Sequence, residues 1–528
     1  MDNKKIKIVS IISIIALALT LVAATYAFFV AQTGEGAQTD IKINANTVDT
    51  FTFEVGSALN LSLNQENFAS GKGNQTGTTF AKAMLTANNK TNTATEHYYL
   101  YLNISNNTFT YSIDNNTPEI LLSIKDGSNN EITTLTGLTY KTVTDGKGAS
   151  IKGFDITKKS GLITILNNRE ITTTSTKTEE WNVTVTFVNY NSNQAGNAGK
   201  NFSAKLMIQK EKIPTVLSDV CTSGNNLASC ITTLSNKSEP SIVNIYHHTS
   251  SLVNGAGDNS YRYAGASDQV NNFVCFGSDA ATCPTDNLYR IIGVINDKVK
   301  LIKYDYMTTD ELGTDGDYSQ TYKEWGMDSA YKGTYGDGER IGAYYWNNDA
   351  GTNTWSRSLL NKTNLNTNFI NYIGTEWSNK IATTTWKVGG NTWTNICIKT
   401  PSVAYTNEIT SPDATNSTDN AIEYSAKIGL MYVSDYGFAA SPEAWTITMS
   451  SYSNTTATNN NWMYMGLYEW TISRDSYGSH SAFFVGSAGH VDRDDVSVDS
   501  GVRASFSLSS STTYVSGSGS MSDPIRVN

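Results

Sequence analysis

Trp470-Thr471-Ile472-Ser473-Arg474-Asp475-Ser476-Tyr477-Gly478-Ser479-His480-Ser481-Ala482-Phe483-Phe484-Val485 opens the stretch whose reading decides the fold. It continues through Gly486-Ser487-Ala488-Gly489-His490-Val491-Asp492-Arg493-Asp494-Asp495 to a last phrase with Val502, Ala504, Phe506 and Leu508. Those four recur at every second residue, which places them on one buried face of a strand. The apolar phrases 471–473 and 482–485 also read as strands. Between them, the clusters 474–481, 486–490 and 492–495 must turn sharply and carry Arg, Tyr, His, Asp and Ser toward water. A rigid scaffold that displays mixed Tyr, Arg and Asp on loops has the make-up of a binding surface. Ordinary solvated turns are the plainer reading of the same residues.

The domain around this stretch, 261–528, holds nine of the ten tryptophans. Large aromatics bury about 150–250 Å² each, so such a cluster can hold a loop-rich domain together. Tyr289 to Ile295 and Val299 to Ile302 predict a hairpin across Asn296-Asp297. Leu359, then Leu365 with Phe369, then Trp377 with Ile381 predict helix faces turned to the sheet.

Several phrases in this half resemble bacterial surface proteins with a C-type-lectin-like fold. They are Trp470-Thr471-Ile472-Ser473, Phe484-Val485, Gly489, Val491, Gly501-Val502-Arg503, Gly517-Ser518-Gly519 and Asp523-Pro524. Upstream, Asn287-Leu288-Tyr289-Arg290-Ile291-Ile292-Gly293-Val294, the run from Trp377 to Ile381, Val388-Gly389-Gly390 and 427–437 fit the same group. Formylglycine-generating enzymes and the variable proteins of diversity-generating retroelements share that fold. The common form of the Arg503 motif continues with proline, and Ala504 stands here instead. The resemblance implies ligand recognition by C-terminal loops. The residues expected to carry it are Arg474, Asp475, Tyr477 and His480 in one loop and His490, Asp492, Arg493, Asp494 and Asp495 in the next. Tyr464 and Tyr468 are expected to assist. The expected partner is an extracellular protein or glycan.

At the other end, Lys4, Lys5 and Lys7 precede an uncharged, mostly apolar run from Ile8 to Val30. It reaches the roughly 17–25 residues needed to span a bilayer, so 1–31 predicts a signal peptide or membrane anchor. The lysines stay cytoplasmic, and the rest lies outside. Thr25-Tyr26-Ala27-Phe28-Phe29 resembles the signal-peptide end of TasA and camelysin-type matrix proteins, which implies processing by a dedicated peptidase. Anchored at the cell surface or clipped and secreted, the body is extracellular.

From 32 to 212 the chain reads as an all-β module. Phe51, Phe53 and Val55 alternate, as do Tyr98, Leu100, Leu102 and Ile104, then Trp181, Val183, Val185 and Phe187, then Phe202, Ala204, Leu206 and Ile208. Such half-buried strands suggest a sandwich of two antiparallel sheets serving as a stalk. The last two runs read as a hairpin with a long tip across 191–200. Pro214 ends the module, and 213–260 reads as a connector with a short amphipathic helix over 225–235. The fold class is therefore an N-terminal transmembrane or signal helix, an all-β sandwich domain, then an α+β C-type-lectin-like domain.

Net charge is −10 with no basic run outside the leader. The electrostatic drive for nucleic-acid binding is missing. Close cysteine pairs in an exported chain read as disulfides, here Cys221 with Cys230 and Cys275 with Cys283. Cys397, flanked by Ile396 and Ile398, reads as an inert thiol in an apolar strand. No hydrolase elbow, zincin helix or phosphate-cradling glycine loop is present, so no enzyme and no cofactor is expected. Calcium would find oxygen ligands in Asp310, Glu311, Asp315 and Asp317, or in Trp346-Asn347-Asn348-Asp349. His480, His490 and Asp492 are a transition-metal alternative, while adjacent His247 and His248 point to opposite faces. Besides recognition, two functions stay open: a structural biofilm or envelope component, and an oxidase related to formylglycine-generating enzymes with Cys397 reactive.

Overall fold

The computed structural model describes residues 49–63, 71–88, 92–348, 352–416 and 421–528. The expected leader, 1–31, lies outside the described residues. Strands dominate, and helices are short. Among the described residues no helix is long and apolar enough to cross a membrane. The chain divides into two compact units, Met1–Lys212 and Ile213–Asn528, each with its own core.

Among the described residues the first unit contains ten strands: β1 (Thr50–Val55), β2 (Leu59–Ser62), β3 (Gln75–Thr86), β4 (Ala94–Asn107), β5 (Ile120–Asp126), β6 (Tyr140–Thr144), β7 (Ser150–Asp155), β8 (Gly161–Thr173), β9 (Thr176–Phe187) and β10 (Asn201–Gln209). One sheet runs β1-β3-β9-β5-β7-β6 and the other β2-β10-β4-β8. Period-two alternation turns Leu100, Leu102 and Ile104 of β4 and Val183 and Val185 of β9 into one shared core. This is the expected pair of antiparallel sheets. The expected hairpin of the last two runs is not formed, because β9 pairs with β3 and β5 whereas β10 pairs with β4 and β2. The long connection crosses from one sheet to the other, and each strand lies between two neighbours there.

The second unit begins at Ile213, and 213–260 is part of it rather than a linker. The helix Leu227–Lys237 forms near the expected place, with Asn226 capping it by accepting the Ser229 N–H (3.0 Å). Leu227, Ile231 and Leu234 fall on one face and enter the main core. Both expected disulfides, Cys221–Cys230 and Cys275–Cys283, are formed, the pattern of an exported chain.

The central sheet is built on the hairpin Leu288–Ile295 and Lys298–Lys303. Asn296 and Asp297 take φ of 49° and 58°, the left-handed pair that a tight two-residue turn requires. Ser505–Ser507 and Ile428–Gly429 extend the sheet on one side, and Phe273–Cys275, Ile525–Val527 and Tyr514–Ser516 on the other. Val502, Ala504, Phe506 and Leu508 are all buried, as their period predicts.

The helix expectations hold less well. Leu365 and Phe369 are buried, but on a π-helix, Leu360–Phe369, while Leu359 is exposed. Trp377 closes toward the core from Ile370–Ser378, whereas Ile381 lies past the helix end and bridges to Leu508. Cys397 caps the helix Trp393–Ile396 and is not on a strand.

Beside the central sheet lies a three-stranded meander, Glu469–Arg474, Ser481–Val485 and Val491–Asp495. A buried ion pair joins the two. Arg503 donates to both Glu469 oxygens, each at 2.8 Å, and to the Met463 carbonyl at 2.7 Å. A fork of that kind fixes orientation as well as distance.

Candidate functional site

In a meander, consecutive turns lie at opposite ends. The turn after Arg474 and the turn after Val485 are therefore separated by the strand Ser481–Val485, about 17 Å at strand rise. The expected single patch splits accordingly. Tyr464, Tyr468 and His490 gather at the 486–490 end. Tyr477, His480 and Arg493 gather at the 475–481 end. Asp492 to Asp495 are not a turn at all, because they belong to the strand Val491–Asp495.

Burial sorts the residues further. Arg474, Asp475 and Tyr464 are interior side chains. Arg474 donates to the carbonyls of Thr415 and Asp413, both at 3.0 Å, and cannot project outward. The Asp475 carboxylate accepts the Tyr477 N–H (3.0 Å) and is ion-paired with Arg493. Tyr464 donates its hydroxyl to the Ser487 carbonyl, and the Lys332 ammonium stands 4.4 Å over its ring. These three were expected at the surface. Each is drawn inside by backbone carbonyls or a counter-charge that water would otherwise have to replace. His490 is half-buried against Phe484, and Tyr468, 40% exposed, lies 5.6 Å from the same ring.

The exposed display at the other end consists of Tyr477, His480, Arg493 and Asp494. Tyr477 is 75% exposed, and the Arg493 guanidinium sits 5.9 Å from its ring. Half-buried Asp492 accepts the Trp393 indole N–H at 2.6 Å, which brings a second aromatic to the same strand. Half-buried Asp495 accepts the Ser497 N–H and hydroxyl.

How the loop is held is its most informative property. The carbonyls of Asp475, Gly478 and Ser481 all accept from the side-chain amide of buried Asn353, at 2.8, 3.0 and 2.8 Å. Those of Ser476 and Tyr477 accept from the Asn416 amide, at 2.9 and 2.7 Å. The Ser479 carbonyl takes the Asn353 backbone N–H, and that of His480 takes the Val496 N–H. Every carbonyl from 475 through 481 is thus occupied, and none of these bonds uses a side chain of Tyr477, Ser479 or His480. From below, Asn391 pairs in parallel with Asp475 and accepts the Ser476 N–H (3.0 Å). This approach needs Gly390, whose φ is +65° and whose Cβ, if present, would strike the Arg474 carbonyl.

The sequence reading missed Asn353, Asn391, Asn416 and Trp393. Only the Val388-Gly389-Gly390 phrase before Asn391 carried a signal.

The ion sites weighed above are not assembled. Glu311 is buried against the Lys303 ammonium (2.6 Å), and Asp317 accepts the N–H groups of Asn348 (3.0 Å) and Leu360 (2.7 Å). Asp315 accepts from Asn368, and Asp310 is exposed. Trp346 and Asn347 are core residues that donate to the Thr471 and Thr352 carbonyls, while Asp349 lies outside the described residues. Among the described residues, no three His, Cys, Asp or Glu side chains are placed to hold a metal. Burial pushes the Cys397 thiol far above its ordinary range, with the Asp492 and Asp475 charges adding to the effect, so at neutral pH it carries no thiolate.

Compared with known proteins, the chain matches no family model, no curated protein and no solved structure.

Proposed function

We propose that the chain is a bacterial recognition protein, displayed on the cell surface or secreted, that captures an extracellular protein or glycan through the exposed 475–481 end of the meander. The observation that carries this reading is the unbroken grip on the loop carbonyls. A loop ordered through its backbone loses little further entropy on binding and leaves its side chains free for contact. Tyr477 and Arg493 supply aromatic area and a directed charge there. Kinship with the C-type-lectin-like fold, read from the Gly501-Val502-Arg503 region, belongs to the same proposal. So does delivery to the outside by the apolar run 8–30, whether retained as an anchor or removed.

The test is simultaneous replacement of Tyr477 and His480 by alanine and of Arg493 by lysine, which keeps a cation beside the interior Asp475 carboxylate. Arg474 is left in place because it is an interior side chain that holds the Asp413 and Thr415 carbonyls. The triple variant is expected to lose capture on a glycan and protein array while its melting temperature stays near that of the parent, since exposed positions contribute little to stability. Undiminished capture rejects this assignment.

A second reading, a matrix component, draws support from β6, which pairs only with β7 among the described residues and leaves an open edge. Such an edge is a template for strand addition. Strictly monomeric sedimentation of a 32–212 fragment at high concentration would rule it out.

A further inference from the structure

The strand β6 (Tyr140–Thr144) ends one sheet of the first unit, and its backbone shows which groups face outward. Asp145 donates its N–H to the Ala149 carbonyl, and Asp155 donates to that of Thr139, each at 2.9 Å. The register between β6 and β7 runs unbroken from Tyr140↔Phe154 to Thr144↔Ser150. Bonded and non-bonded residues alternate in an antiparallel pair, so Lys141 and Val143 turn their N–H and C=O groups to β7. Tyr140, Thr142 and Thr144 turn theirs outward. Among the described residues those outward backbone groups meet no partner, and the Thr142 and Thr144 side chains are exposed.

Native edge strands are commonly blunted by bulges, charges or proline. The edge strand β8 is blunted in this way: its register with β4 shifts twice, Asn168 takes a φ of 52°, and Arg169 and Glu170 follow. In β6 there is no bulge, no proline and one charge, Lys141. That charge selects the pairing. A second copy laid antiparallel, Thr142 opposite Thr142, sets each Lys141 against a Val143, and every outward N–H of one copy finds an outward carbonyl of the other. A parallel, in-register copy would set lysine against lysine. Positive and negative residues balance between 32 and 212, so net charge does not hold two such units apart. We propose that two copies of the chain join edge to edge through β6 as a closed two-fold dimer. The proposal rests on the open edge of the matrix reading and narrows it. A two-fold contact consumes both edges and stops at two copies, whereas a fibre needs a contact that repeats. Where the 475–481 loop binds as argued above, the dimer is bivalent.

The test uses the full chain, in detergent where the leader is retained. Four native cysteines are paired and Cys397 is buried, so a new cysteine reports alone. Thr142→Cys is expected to give a covalent dimer under mild oxidation, because directly opposed residues of a bonded pair lie about 5.5 Å apart at Cα, within disulfide reach. Lys141→Cys and Val143→Cys are expected to cross-link when mixed and not singly, since only the mixed pair is directly opposed. Thr142→Pro deletes an N–H that the fold leaves unused, so its melting temperature should stay near that of the parent. Its dimer dissociation constant, read by sedimentation, is expected to rise about tenfold or more as two hydrogen bonds across the edge are lost. Thr142→Cys that stays monomeric under oxidation overturns the proposal, and so does equal cross-linking by all three single cysteines, the mark of random collision. Assemblies larger than two that Thr142→Pro leaves intact also overturn it, while passing the matrix reading to another contact. A chain that is monomeric at every concentration removes both.

Discussion

The His248 imidazole is fully buried, edge-on to Phe438 (4.8 Å) and tilted against Trp445 (5.1 Å). Its Nδ1 accepts the Ala256 N–H at 2.9 Å, which requires that nitrogen to be unprotonated. Burial first, then the nearby Arg262 charge, pushes its pKa down to about 3. The unfolded chain binds a proton here near pH 6.5 and the folded chain does not, so stability is complete above pH 6.5 and falls as pH drops toward 3. The slope approaches about 1.4 kcal/mol per pH unit within that window. Urea midpoints taken between pH 6.5 and 4.5, above the range where most carboxylates titrate, should show this loss in the parent. His248→Gln should lack it while being less stable at pH 7.

At the scale of the element, the 475–481 turn depends on asparagine amides rather than on its own sequence. Asn353→Ala removes one amide that serves three carbonyls. We expect a loss of about 2–3 kcal/mol, the range for leaving buried acceptors unpaired. We also expect faster amide hydrogen exchange confined to 475–481 and its flanks. Exchange unchanged in that turn would show that the grip is not what orders it. The same dependence explains what could be read in advance. Runs such as Trp181, Val183, Val185 and Phe187 announced strands because a half-buried sheet face imposes a period of two, and Asn296-Asp297 announced its turn because both residues tolerate left-handed backbone. Partner choice was hidden: β9 and β10 follow one another yet enter different sheets, and nothing local marks that crossing. The candidate site was half legible. Tyr477, His480 and Arg493 emerge at the surface, but Arg474, Asp475 and Tyr464 do not, because the groups that bury them come from residues 59 and 61 positions away for Arg474 and 18 for Asp475. An asparagine's role as a clamp depends entirely on which carbonyls the fold brings to it.

At the scale of the whole molecule, two cores imply two melting events. Both disulfides fall in the unit Ile213–Asn528 and none in Met1–Lys212. They close loops of sequence separation 9 and 8, worth about 2–3 kcal/mol each if chain entropy dominates. Calorimetry should therefore resolve two transitions, with reductant lowering one and sparing the other. A single transition, or equal lowering of both, would contradict this division. With four cysteines locked in pairs, Cys397 is the only sulfhydryl left, and it is sealed in the interior. The protein thus carries its own stopwatch: a maleimide or aromatic disulfide in the surrounding buffer can react only when that region opens, so the rate of adduct formation clocks the excursions of the larger unit without any label being engineered in.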